Sequence, residues 1–231
     1  MLTKIIPLTN VLLSFLPIIV LGCIFVTWKL DWKELLYASL RMLIQLFCIG
    51  YFLSYIFERD SASWTLGILS FMLLVASWIS LHSIKNQRRK FILHALISIL
   101  MGAVPVLIMV VGFIIPSESW YSPSFIIPIA GMIFSISMNT IGIAAERFEK
   151  EIQMSSLEKS KQTALKACLI PQINSFLAVG LVSLPGMMTG QILSGVDPLI
   201  AVRYQIVVMT MLIGAGGLSA TIFLSTKRLR V

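Results

Sequence analysis

The residues best suited to chemistry stand together in the run Val179-Gly180-Leu181-Val182-Ser183-Leu184-Pro185-Gly186-Met187-Met188-Thr189-Gly190. Pro185 has no backbone N–H to donate and Gly186 relaxes a helix, so the run predicts a break or kink in an apolar span. Broken backbone at membrane depth is tolerated only where it packs in protein or lines a cavity. The freed carbonyls, the Ser183 hydroxyl and the Met187 and Met188 thioethers would then face a pathway. Thioethers suit soft metals and oxygen donors suit harder ones. A packing kink fits the same run equally well, because Gly186 and Gly190 have the small-xxx-small spacing of close helix contacts. Other polar groups lie inside apolar runs: Arg41 and Gln45, four apart on one helix face, with Asn139, Gln172 and Asn174. A buried Arg is costly and often functional, but Arg41 reads first as a side chain snorkelling to the headgroups. The amides read first as interhelical hydrogen-bonding groups, with substrate contact the lesser reading.

Membrane-spanning helices must position these residues. Apolar residues make up 58% of the 231, charged residues only 12%, and the mean hydropathy is +0.94; a soluble domain carries about a quarter charged residues. The apolar residues come in blocks near the roughly 20 needed per helical crossing, without the period-two alternation of a β-barrel. The fold class expected is all-α: a polytopic membrane protein of about seven helices, one permease domain over 1–231. The spans lie near 5–28, 36–57, 64–81, 91–115, 123–145, 165–188 and 200–225. Fifteen of the 18 Lys and Arg residues then fall on one side, and only Lys4, Arg59 and Arg203 on the other. That bias places the N-terminus outside and the C-terminus in the cytoplasm. Trp28, Trp32, Trp64 and Trp120-Tyr121 fall at span ends, where amphipathic rings prefer the headgroup layer. The stretch 31–41 is either a short interfacial helix or the start of the second span. The first apolar run continues past Gly22-Cys23, which favours a retained span over a cleaved or lipidated leader.

Several function classes are excluded or weakened. The net charge of +8 sits in short loops between spans, leaving no soluble basic face for nucleic acid. There is no G-x-x-x-x-G-K-[ST] phosphate loop, so the chain is not expected to hydrolyse ATP. His82 and His94 form no HExxH, and Cys23, Cys48 and Cys168 have no metal-site spacing, so they read as small buried hydrophobes. No cofactor is implied. Every acidic residue lies in or near a loop, which weakens a proton-coupled carrier. The mixed-charge stretch Glu146–Lys166 is either a solvated loop with i,i+4 pairs or a helix that docks on a cytoplasmic partner.

Three stretches together resemble a known family: Arg41-x-x-x-Gln45 through Gly50-Tyr51; Pro128-Ile129-Ala130-Gly131-Met132-Ile133; and Val179 through Gly190, followed by Gly195-x-Asp197-Pro198 and Tyr204-Gln205. Over roughly 36–225 the chain resembles the Fet-type bacterial iron-export ABC permeases and their plant aluminium-tolerance relatives. The resemblance implies a permease of the bacterial cytoplasmic membrane, pairing with a separate ATPase subunit and with a second permease copy. Its cargo would be a metal ion, or something linked to metal tolerance, leaving the cytoplasm. The pathway would be lined by Ser183, Pro185, Gly186, Met187 and Met188, with Arg41, Gln45 and Asn139. The ATPase-coupling residues would be Glu146, Arg147, Glu149, Glu158 and Lys161. The chain lacks the Leu-Gly-Ala turn that the resemblance places in that segment. A secondary carrier and a non-transporting scaffold subunit are the alternative functions.

Overall fold

A computed structural model describes residues 7–58, 61–116 and 119–226, and among them every regular element is helical. The chain divides into two units, Met1–Glu58 and Arg59–Val231. Of the basic residues used for orientation, Lys4, Arg59, Lys227, Arg228 and Arg230 lie outside the described residues.

The first unit holds α1 (Leu8–Leu13), α2 (Leu16–Thr27) and α3 (Trp32–Glu58). Pro17 in the first turn of α2 cannot donate to the carbonyl of Leu13, so the first apolar run is interrupted at Ser14-Phe15. Helix α2 then passes unbroken through Gly22 and Cys23. Lys29 takes a left-handed φ of 57° in the connection. Asp31 caps α3 by accepting from the backbone N–H of Lys33 at 3.1 Å and of Glu34 at 3.4 Å. The stretch 31–41 is therefore the start of one long helix and not a separate interfacial one.

The second unit contains α4 (Ala62–Ser80), a 3-10 turn at His82–Gln87, α5 (Arg88–Met109) prolonged by a π-turn at Val110–Ile114, and α6 (Pro123–Glu151). It continues through α7 (Leu157–Ala178), α8 (Gly186–Leu193) and α9 (Pro198–Thr226). Helix α9 packs against α5, α6, α7 and α8, while α6 also packs against α4 and α7. Small residues let the axes approach closely. A Cβ at Gly102 would lie 2.5 Å from the Ser219 backbone nitrogen, and one at Gly216 would lie 2.8 Å from Thr140 Oγ1. In the run 214–217, Gly216 and Gly217 thus serve the close packing expected of them, and Gly214 meets nothing within 4 Å. Arg88 closes the end of α4: its Nε donates to the Trp78 carbonyl at 2.8 Å and its guanidinium lies 3.8 Å over the Trp78 ring.

Among the described residues, six helical segments are long and apolar enough to cross a membrane: Leu8–Thr27, Trp32–Phe52, Ala62–Ser80, Arg88–Ile114, Pro123–Glu151 and Pro198–Thr226. The span expected at 165–188 is not among them, and its boundaries need correction. Helix α7 starts at Leu157, eight residues early, because Ser156 caps it by accepting from Lys159 N. Its first turns carry Glu158, Lys159, Lys161 and Lys166, which lowers its hydropathy. It ends at Ala178, well before Pro185.

Candidate substrate groove

The break falls earlier than Pro185 and Gly186 alone would put it. After Ala178 the chain turns at Gly180, whose φ of +81° suits glycine because it carries no Cβ. The amides of Val182 and Ser183 both return to the Ala178 carbonyl, at 2.8 and 3.1 Å, and Gly180 N donates to the Ser183 carbonyl at 2.9 Å. The loop thus satisfies much of its own backbone, as irregular chain at membrane depth must. Pro185 starts the next helix instead of kinking the last one. It takes φ −61°, ψ 143° as the N-cap of α8, and its carbonyl accepts from Thr189 N and Thr189 Oγ1 at 3.0 and 3.1 Å. After α8, Gly195 with φ +96° turns the chain, and Asp197 Oδ1 caps α9 by accepting from Leu199 N at 2.8 Å and Ile200 N at 3.3 Å.

Two adjoining hollows order the contacts along α9. One, of about 180 Å³, sets Pro171, Gln172 and Ser175 of α7 beside Met209, Leu212 and Ile213. The other, of about 360 Å³, sets Leu184, Pro185 and Met188 beside Val202, Gln205 and Ile206. Phe176 and Met209 line both. As the residue number rises along α7 and α8 it falls along α9, so α8 continues the direction of α7, antiparallel to α9. Helix α7, the short α8 and the loop between them form one discontinuous rod whose side is a groove.

Two amides are buried along this track. Gln205 is 5% exposed and lines the larger hollow, and its Oε1 has no hydrogen-bond partner. Gln172 is 7% exposed; its Nε2 donates to Thr140 Oγ1 at 3.3 Å, while its own Oε1 has no partner. A buried acceptor left unmade costs about 1–3 kcal/mol, and both oxygens are packed away from the open space of the hollows. The interhelical bond expected of Gln172 is thus present. Asn139 and Asn174 lie on exposed faces of α6 and α7.

Of the expected pathway residues, Leu184's neighbours Pro185 and Met188 line the groove, while Ser183, Gly186 and Met187 are exposed beside it. A Cβ at Gly186 or Gly190 meets nothing within 4 Å, so the small-xxx-small contact is not made here. Arg41 is half-buried and Gln45 exposed on α3, in the other unit. The sequence reading missed Gly180 and Gln205 as site residues, although an amide inside the apolar run 200–225 was a signal to be weighed.

The segment expected to couple to an ATPase is a helical hairpin. Helix α6 continues to Glu151, residues 152–156 form the turn, and α7 follows. Lys150 pairs with Glu146 at 2.7 Å and Arg147 with Glu151 at 3.2 Å, the i,i+4 pairs expected, carried on a helix and not on a loop. Glu149 Oε2 accepts from Gln87 Nε2 at 3.2 Å, tying the α6 end to the preceding turn. Phe148 is fully buried between these charges and anchors the end of the helix. Glu158 is exposed and Lys161 half-buried on α7, and Met154 stands at the tip, 87% exposed.

The family described as Uncharacterised protein family (UPF0014) matches residues 8–230. A UPF0014 membrane protein of Synechocystis is 34% identical over 202 residues, 80% of this chain and 78% of its own length. The probable iron export permease protein FetB of Escherichia coli is 34% identical over 207 residues, 82% of this chain and 78% of its own. The protein ALUMINUM SENSITIVE 3 of Arabidopsis thaliana is 32% identical over 206 residues, 81% and 73%. No solved structure matches the chain. With the family matching residues 8–230 and about a third of the aligned residues identical to these relatives, this all-helical, multi-pass chain belongs to the UPF0014 family of membrane proteins.

Proposed function

We propose that the chain is the membrane-spanning permease subunit of an ATP-driven exporter, working as a homodimer with a separate cytoplasmic ATPase. The observation that carries this reading is the discontinuous rod α7–α8, which lines a groove against α9 with the buried Gln205 in its wall. Helices broken at membrane depth are how transporters build sites that can change exposure. The apolar part of α7, Ala167–Ala178, spans about 18 Å and the eight residues of α8 about 12 Å. Together they match the roughly 30 Å of a bilayer core. That supports a seventh crossing, with the N-terminus outside and the C-terminus in the bacterial cytoplasm. The hairpin of α6 and α7 is then cytoplasmic, and Met154 with Glu146, Arg147, Glu149, Glu158 and Lys161 offers the ATPase a firm, charged knob. The Escherichia coli relative, a probable iron export permease, supports a metal-related cargo. Among the described residues no group of three or more His, Cys, Asp and Glu could hold a bare ion.

Purification from native membranes under mild detergent tests the assembly. A phosphate-loop ATPase should co-purify, and vesicles holding both chains should move cargo only with ATP. Full flux without any ATPase would sink this reading.

A further inference from the structure

We infer that the face of α3 carrying Tyr37, Arg41 and Gln45 is an oxyanion site within the membrane span, taking a phosphate-type group that the chain does not supply. The site stands on α3 alone; that a soluble anion bound there is cargo rests on the permease reading. Arg41 lies about 14 Å along the axis from Trp32 and about 17 Å from Phe52, the two ends of the apolar span. An arginine at that depth is costly unless something answers its charge. Helix α2 does not, because it meets α3 at Leu35, Leu36, Ser39, Leu40 and Leu43. At about 100° per residue, Arg41 and Gln45 stand roughly 150–170° round the helix from that face. Neither side chain makes an ion pair or hydrogen bond among the described residues. All ten Asp and Glu residues stand at the ends of the apolar runs or between them. The nearest on the helix, Glu34, lies about 10 Å back along the axis and is itself engaged. The three that end α6 are taken by Lys150, Arg147 and Gln87. A second copy would bring the same carboxylates to the same depths. What the face offers is donors. The Tyr37 phenol, the Arg41 guanidinium and the Gln45 amide recur every four residues, about 6 Å apart along one flank. Tyr37 and Gln45 are both exposed. The guanidinium is a planar fork that fits two oxygens of one phosphate, whereas a bare cation would be repelled. Its stem leads back toward the Trp32 end, because helical side chains tilt toward the N-terminus. Two sources offer this chemistry, the headgroup of an anionic lipid and a soluble anion from the aqueous side.

Native mass spectrometry of the full chain released from nanodiscs tests the inference with two probes. One is phosphatidylglycerol doped into phosphatidylcholine; the other is inorganic pyrophosphate in the buffer around phosphatidylcholine alone. The wild type should retain at least one of them. Phosphatidylglycerol alone assigns the site to a lipid headgroup, and uptake of pyrophosphate assigns it to a soluble anion. Arg41→Gln should lower the retained probe about ten-fold, and Arg41→Lys, which keeps the charge without the fork, about three-fold. Gln45→Leu should also lower it about three-fold. Arg89→Gln, on the exposed start of α5, should leave it unchanged. Retention of neither probe by the wild type overturns the inference, as does retention that survives Arg41→Gln. Equal loss in Arg89→Gln overturns it too, since the attraction would then belong to the basic face at large. If Arg41→Gln fails to fold, Arg41→Lys and Gln45→Leu decide, and unchanged retention in both overturns the site. Anion binding with no ATP-driven flux would instead remove the permease reading and leave the site standing.

Discussion

Glycines that look alike in the sequence differ in what a methyl group would meet. At Gly102 an added Cβ would collide with the backbone of Ser219, at Gly214 it would meet open space, and both lie in helices that pack together. Gly102→Ala should lower stability by about 2–3 kcal/mol, since α5 and α9 must move apart. Gly214→Ala should leave it unchanged or slightly raised; thermal unfolding in detergent reads both. Gly180 and Gly186 make a second pair, and for neither is space the issue. Gly180 holds φ +81°, so Gly180→Ala should cost about 1–2 kcal/mol through the backbone alone. Gly186, the first residue of α8, has no such φ, and Gly186→Ala should cost little. The sequence made Pro185 and Gly186 conspicuous because their backbone chemistry is intrinsic to residue type. The need for glycine at 180 comes from the loop's own conformation, closed by hydrogen bonds among Ala178, Gly180, Val182 and Ser183, which residue type alone does not reveal.

At the scale of the element, helices were legible wherever apolar runs were long, as for α3, α4, α6 and α9. The stretch 165–188 was not legible in this way. Its charged first turns, its internal Pro171 and its looped centre each dilute the hydropathy signal. Only the order of contacts along α9 shows the two pieces to be one rod. The loop should matter for motion more than for folding. Replacing Pro185 and Gly186 together by Ala should therefore allow α8 to extend backward and impair flux at least several-fold, with assembly intact. Flux in vesicles and size-exclusion elution measure the two separately; unchanged flux with intact assembly would reduce the loop to packing. On the hairpin, Lys150–Glu146 and Arg147–Glu151 are exposed pairs worth about 0.3–0.5 kcal/mol each. Reversing the charges of Glu146 and Arg147 should thus spare stability while weakening ATPase capture, read by pull-down.

Over the whole molecule, the charge pattern speaks most plainly. Arg88, Arg89 and Lys90 open α5, and Arg147, Lys150, Lys159, Lys161 and Lys166 surround the α6–α7 turn. These two groups sit near one another, since Gln87 reaches Glu149. At the opposite ends, Thr65 Oγ1 donates to the Tyr121 carbonyl at 2.8 Å, joining the starts of α4 and α6. Arg89→Cys should be labelled by an impermeant maleimide only from the cytoplasmic side, and Ser119→Cys only from outside; the reverse pattern would invert the topology. The overall class was open to a reader of residues because it follows from composition and the length of the apolar runs. The groove was not, because it is made by residues far apart in sequence that helix packing brings together.

Helix α7 runs without interruption by loop from the α6–α7 hairpin to the groove wall, 22 residues or about 33 Å. Pro171 interrupts its hydrogen-bond ladder about two-thirds of the way along, leaving arms of about 21 and 10 Å on either side. A helix built this way is a lever with unequal arms. A sideways displacement of 3 Å imposed at the turn would arrive at Ala178 halved to about 1.5 Å and reversed in direction. The force there would be correspondingly doubled. Beyond Ala178 the looped segment acts as a slack joint, so α8 need not follow. A push at one end would thus widen or pinch the groove on one flank only.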